Sequence, residues 1–231
     1  MILAATATLF FLLLHALVAH QIPGQEFHVQ LKLSRGLASI ILTALGFYAL
    51  TQWWWLWPQA FLQRHAPDSG PYMVIAFVSG HFIADVGLLA WGGLLRNSSP
   101  RRDLIAHHAL GLAACAVVFY YEFGHALFAV ALTGEMMPVT SGIAALAPLL
   151  ARPLLERLAT QLRLAVLVLW RLPFWVLVIT LLLLRMVQGE PDSLMLLAQR
   201  IALTSMAVVV TLDVYWVRQC LRSLHDTPAQ G

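Results

Sequence analysis

Residues 72–95 read YMVIAFVSGHFIADVGLLAWGGLL, 24 positions of which only His81 and Asp85 can carry charge. A run longer than about 18 apolar residues spans the hydrocarbon of a bilayer as a helix. In lipid the backbone must satisfy its own hydrogen bonds, which leaves helices and closed barrels. Outward from this stretch the pattern repeats. Apolar runs punctuated by breakers give about seven spanning helices, near 2–20, 36–57, 72–95, 103–121, 124–150, 162–188 and 194–220. The expected fold is therefore all-α, a polytopic membrane helical bundle. Composition agrees: 60% of the 231 residues are hydrophobic and 11% charged, against roughly 25% charged in a soluble domain.

The chain ends and loops carry consistent signals. Met1 to His20 has an apolar run but no basic n-region, so it reads as a retained first helix rather than a cleaved leader. Trp53, Trp54, Trp55 and Trp57 ahead of Pro58 read as an interfacial aromatic belt. Asn97, Ser98, Ser99 and Pro100 with Asp103 read as a turn entering a helix. Thr133, Gly134 and Pro138 interrupt the fifth span, which is expected to kink or be partly re-entrant. Lys32, Arg35, Arg96, Arg101, Arg102, Arg152, Arg157, Arg218 and Arg222 fall on one side of this arrangement, while the other has Arg64 in a loop and Arg185 and Arg200 near helix ends. The positive-inside rule then sets the C-terminus in the cytosol. Of the 14 lysine and arginine residues, all but Lys32 are arginine. With the short loops, this favours a bacterial inner membrane; a eukaryotic member would sit in the endoplasmic reticulum. The net charge of +3 is dispersed among loops and forms no nucleic-acid patch. Cys115 and Cys220 stand far apart with no CxxC or Cys/His companion, which argues against a disulfide framework or zinc knuckle.

Titratable groups inside spans cost at least about 2.5 kcal/mol each on insertion scales, so they line bundle interiors and mark sites. His81 and Asp85 are four residues apart, on one face of the third span; Asp103 and His107 repeat that spacing, with His108 adjacent. Arg171 and Asp213 follow in the sixth and seventh spans. Counted from the basic ends at about 1.5 Å per residue, His107 and His108 lie about 6 to 8 Å deep, Arg171 and Asp213 about 11 to 12 Å, Asp85 about 15 Å, and His81 and Glu135 nearer 20 Å. One shared pocket in the cytosolic leaflet follows if the azimuths agree. The two rings of the histidine pair differ by about 100°, so one faces the pocket while the other packs sideways. Glu122 and His125, spaced i, i+3 near the outer surface, are expected to form a wet surface pair.

A histidine beside a carboxylate supplies a base near neutral pH, and an imidazole can also carry an acyl group itself. Such residues open three readings. The first is a lipid acyltransferase and the second a non-enzymatic lipid-binding or lipid-handling protein using the same cavity. The third has His81, Asp85, His107, His108 and Glu135 binding iron or zinc, although histidine-rich membrane oxygenases need more histidines, at HxxxH and HxxHH spacings.

The run Asp103-Leu-Ile-Ala-His107-His108 resembles the histidine-pair signature of TLC-domain proteins, the group containing TRAM, the ceramide synthases and CLN8. Gly80-His81-Phe-Ile-Ala-Asp85 before it, Glu135 to Pro138 and Arg171 after it, and Leu212-Asp213-Val-Tyr215-Trp216 in the last span follow in the family's order, roughly over residues 30 to 222. Asp213 stands where the family commonly has Asn, and Ala-Leu-Gly follows the pair rather than the Ile-Val-Thr type of ceramide synthases. The long charged segment of those synthases is missing as well, so the likeness is closer to the small TLC-domain proteins. The resemblance implies a six-helix barrel-like core around a cavity, with residues 1–30 an N-terminal helix and loop, 31–222 the TLC-like domain and 223–231 a cytosolic tail. For the synthase branch it implies transfer of a fatty acyl group from acyl-CoA to an amino-lipid or lysolipid, with no resident cofactor or metal. His107 and His108 would then be catalytic, with Asp85 orienting them, and His81, Asp103, Glu135, Arg171, Asp213 and Tyr215 would bind substrate. Membrane lipids and acyl-CoA are the expected partners, nucleic acid is not, and a homodimer is left open.

Overall fold

A computed structural model describes residues 2–53, 69–95, 101–188 and 193–226, and every regular element in them is helical. In chain order these are α1 (Ile2–Gln21), α2 (Phe27–Trp53), α3 (Gly70–Leu95), α4 (Arg102–Tyr121), α5 (His125–Ala131), a 3-10 turn (Leu132–Glu135), α6 (Met136–Leu149), α7 (Pro153–Val166), a π-helical turn (Leu167–Arg171), α8 (Leu172–Gln188) and α9 (Ser193–Asp226). By length and apolarity they make 7 membrane spans, with α5 to α6 forming the fifth and α7 to α8 the sixth. Large apolar side chains such as Leu9, Leu13, Leu17, Leu169 and Val187 lie on the outside. Water would not tolerate that surface, and lipid does.

Six of the spans close a ring. α2 packs on α3, α3 on α4, α4 on α9, α9 on α7 and α8, α7 on α6, and α6 on α2. α1 stands outside this barrel, against α3 and α2. Small residues allow the close approaches. A Cβ on Gly36 would come within 3.0 Å of Gly142 Cα, and one on Gly46 would run into the backbone of Leu132 and Thr133. Lipid tails supply no hydrophobic drive between helices, so such backbone contact is what holds membrane helices together. Tight reversals use left-handed backbone at Glu122 and Gly124 before α5, and at Ala151 before α7, whose first residue is Pro153. Proline suits that position because the first N–H of a helix has no intrahelical acceptor.

Three expectations change. α2 begins at Phe27, not residue 36, and the sixth span begins at Pro153, not 162. Lys32, Arg35 and Arg157 therefore belong to helices rather than loops. Lysine and arginine are good helix formers, so the helix outruns the apolar stretch by which it was recognised. His125 is buried, stacked 5.4 Å from Tyr72, so its ring is not at the wet surface expected for it, where Glu122 is exposed. The fifth span is interrupted at Thr133 and Gly134, where α-helix gives way to the 3-10 turn. Cys115 and Cys220 are free thiols. The tryptophan belt after Trp53, the Asn97–Pro100 turn, Arg64 and Arg96 lie outside the described residues.

Candidate active site

The histidine pair diverges, as adjacent positions on a helix must. His108 turns toward α3, where its Nδ1 lies 2.6 Å from Asp85 Oδ2. The other carboxylate oxygen, Asp85 Oδ1, is 2.8 Å from Arg35 Nε on α2. Asp85 and His108 are almost fully buried and Arg35 keeps 11% of its side chain exposed. A buried carboxylate between a guanidinium and an imidazole holds a proton on the facing nitrogen and fixes the ring's orientation. His81, one turn before Asp85, packs between the rings of Phe11, at 4.8 Å, and His108, at 5.9 Å. Its Nδ1 makes no hydrogen bond.

His107 points into the barrel instead. It lines an apolar cavity with about 1110 Å³ of empty space, open mouth included, at whose polar end Glu135 and Arg171 also stand. From there the walls run His107 to Val118 on α4, Arg171 to Leu182 through α8, and Val209 back to Ala198 on α9. Each wall covers eleven steps, about 16 Å at 1.5 Å per residue. Aliphatic and aromatic side chains make up the rest, including Phe82, Leu127 and Phe128. The cavity is long and greasy along these walls.

Two helical irregularities build the polar end. The π turn carries one extra residue per turn, a feature often found at functional sites. Through it, neighbouring Trp170 and Arg171 both reach the 3-10 turn: Trp170 Nε1 donates to Thr133 Oγ1 at 2.9 Å and Arg171 donates to the Gly134 carbonyl at 3.0 Å. Arg171 also donates through Nε to Asp213 Oδ2 at 3.0 Å, and Trp175 Nε1 donates to the same oxygen at 2.9 Å. Arg171 is 2% exposed and Asp213 0%, so the charges cancel away from water. A guanidinium has five N–H groups; Nε and Nη2 face Asp213 and Nη1 faces Gly134, and the residue also lines the cavity.

The remaining candidates fall around this core. Asp103 accepts hydrogen bonds from Arg101, at 3.0 and 2.8 Å, and from Trp216 Nε1 at 3.0 Å. The bonds to Asp103 push the Arg101 guanidinium further toward its charged form. Trp216 stands edge-on to His107 at 5.4 Å and 5.9 Å from the Arg171 guanidinium. Tyr215 is not brought to the cavity: it is 46% exposed, and its hydroxyl accepts a hydrogen bond from Gln219. Arg35, Trp175 and Trp216 belong to the site without having been read as site residues. For Arg35 the signal was there, since a basic residue at the edge of an apolar run has a carboxylate to meet in the next span. Among the described residues no group of three or more His, Cys, Asp or Glu side chains is arranged to hold a metal ion.

No curated protein sequence and no solved structure matches the chain. The sequence model of the TLC domain, the family of TRAM, LAG1 and CLN8, matches residues 30–222. That match runs from within α2 to within α9, takes in the whole barrel and leaves out α1. With most of its length matched, the chain belongs to the TLC-domain family, as a multi-pass membrane protein with a lipid-related role.

Proposed function

We propose that this protein is a membrane-embedded lipid acyltransferase, moving a fatty acyl group from acyl-CoA to an amino-lipid or lysolipid. The observation that carries this reading is the position of His107, a partly buried ring whose buried Nδ1 has no hydrogen-bond partner, at the polar end of a long apolar cavity. The acyl chain lies along α4, α8 and α9, and its thioester carbonyl meets His107 and Arg171. His107 takes the proton from the acceptor's amine or hydroxyl as that atom attacks the carbonyl carbon. The oxyanion that forms accepts hydrogen bonds from the free N–H groups of Arg171, already held rigid by Asp213 and Gly134. Collapse of the tetrahedral intermediate breaks the carbon–sulfur bond, and the departing thiolate recovers the proton from His107. Glu135 accepts a hydrogen bond from the acceptor's head. His108, Asp85 and Arg35 keep α4 turned so that His107 faces the cavity.

A second reading, a lipid-binding protein without turnover, is favoured by one feature: the cavity is far more apolar than polar, with only three titratable groups at one end. Untargeted lipidomics separates the two. Matched membranes expressing wild type or His107→Ala at equal protein level are compared, and a lipid class made only by wild type is the expected result. Coincident lipidomes from two folded proteins would eliminate acyl transfer in that host and leave the binding reading.

A further inference from the structure

At the end of the barrel where α4 begins, the end that the basic loops assign to the cytosol, three cations gather. Lys32 on α2, Arg101 ahead of α4 and Arg163 on α7 stand close enough to repel one another. Repulsion of this kind is normally relieved by acids. Arg101 has Asp103, and Lys32 feels Glu156 at the start of α7. Arg163 has no ion pair among the described residues. Its Nε donates to Thr140 Oγ1 at 3.1 Å, and that hydroxyl donates to the Met137 carbonyl at 2.7 Å. The nearby Cys220 is a thiol, not a carboxylate.

Positive-inside topology does not account for this arrangement. A topological arginine extends its head outward from a helix end, letting its stem cover apolar surface. Arg163 lies ten residues into α7, partly buried, and is tied inward to a threonine that is itself buried on α6. Holding a guanidinium partly desolvated without a counter-charge is costly unless an anion arrives to pair with it. This cluster is also linked to the cavity, because Asp103, which Arg101 bonds, accepts from Trp216, and Trp216 meets the His107 ring at 5.4 Å.

We propose that Arg163, with Lys32 and Arg101 beside it, forms a phosphate subsite at this end of the barrel, which anchors a phosphate-bearing substrate whose acyl chain occupies the cavity. The proposal rests on the acyl-chain reading of the cavity but not on turnover. A planar guanidinium matches phosphate oxygens two at a time, and a lysine adds a point charge. The phosphate belongs either to a nucleotide-type thioester donor or to a lipid headgroup. The chemistry at Arg163 is the same for both.

The test is equilibrium binding to the full chain in nanodiscs of uncharged lipid. Three probes sharing one oleoyl chain are used: oleoyl-CoA, the phosphate-free thioester S-oleoyl-N-acetylcysteamine, and oleoyl lysophosphatidate. Wild type is expected to bind at least one phosphate-bearing probe about tenfold or more tighter than the phosphate-free one, the effect of one charge-assisted hydrogen bond. Arg163→Gln is expected to remove that preference and leave affinity for the phosphate-free thioester unchanged, whereas Arg163→Lys keeps part of it. Preference for oleoyl-CoA alone identifies the donor as the source of the phosphate, and preference for lysophosphatidate identifies the headgroup. Should Arg163→Gln not fold, Lys32→Gln is read in its place, with a loss of several-fold expected. Equal affinity for all three probes, or a preference that survives Arg163→Gln, overturns the proposal. A preference that disappears with Arg163 while His107→Ala leaves the lipidome unchanged upholds the subsite and removes the acyltransferase reading.

Discussion

Replacing Arg35 by methionine deletes the positive charge that faces Asp85 while keeping most of the side chain's volume. The fold has no easy way to compensate, because Asp85 is 2% exposed and its one other ion-pair partner among the described residues is the imidazole of His108. Removing one member of a buried ion pair costs about 3–5 kcal/mol, since a charge is left uncompensated away from water. With His108 still 2.6 Å away, the low end of that range, about 3 kcal/mol, is expected. Asp85→Asn made on the Arg35→Met background removes the stranded charge, so the double variant should recover about 2 kcal/mol relative to additive behaviour. The assay is unfolding of the purified protein in detergent, followed by the fluorescence of its 8 tryptophans. An Arg35→Met protein within about 1 kcal/mol of wild type, or a cycle additive to about 0.5 kcal/mol, would refute the reasoning and reduce the Arg35–Asp85 contact to a surface-like pair.

Separating the histidine pair gives a second expectation: His107→Ala should abolish product while leaving the unfolding midpoint near wild type, whereas His108→Ala should lower both, because only His108 is tied into the Asp85 ion pair. Narrowing the cavity halfway down, by Ala114→Trp on α4, should shift the acyl chains found in product or in co-purified lipid toward shorter lengths, readable by mass spectrometry. Gly46→Ala should cost most of the folded protein, since its Cβ would overlap the backbone of Leu132 and Thr133, while Gly87→Ala should be silent because nothing lies within 4 Å; detergent-solubilised yield distinguishes them. A fluorescent protein fused after Gly231 should fluoresce in bacterial cells if the C-terminus is cytosolic, and an alkaline phosphatase fusion at the same point should be inactive.

Much of the barrel was legible because hydrocarbon imposes a one-dimensional rule. Any stretch that crosses it must be helical, about 20 residues long and apolar, so residues 72–95 announce α3 without reference to the rest of the chain. The break at Thr133 and Gly134 was equally local, for residues that disfavour helix interiors mark where a span cannot stay regular. Helix starts were less visible. Lys32 and Arg35 lie in helical turns ahead of the apolar stretch that announced α2, so both were assigned to a loop, while Arg163, inside the expected sixth span, was passed over.

Sequence alone determined the class of solvent, the all-helical architecture, the approximate spans and the set of ionisable residues too costly to be accidental. Spacing along single helices did this, because a helix repeats at 3.6 residues whatever surrounds it. What only the tertiary structure decided is which of those residues meet. Asp85 might have joined His81 on its own helix or His108 across the barrel, and it chose His108 and Arg35. Tyr215 and Trp216 are neighbours in sequence, yet one faces outward and the other stands against His107. Azimuth about each helix axis, and the order in which helices close a ring, depend on packing between segments far apart in sequence. Hydropathy carries depth, while the cavity, its polar end and the partner of every buried charge are set by how the helices turn toward one another.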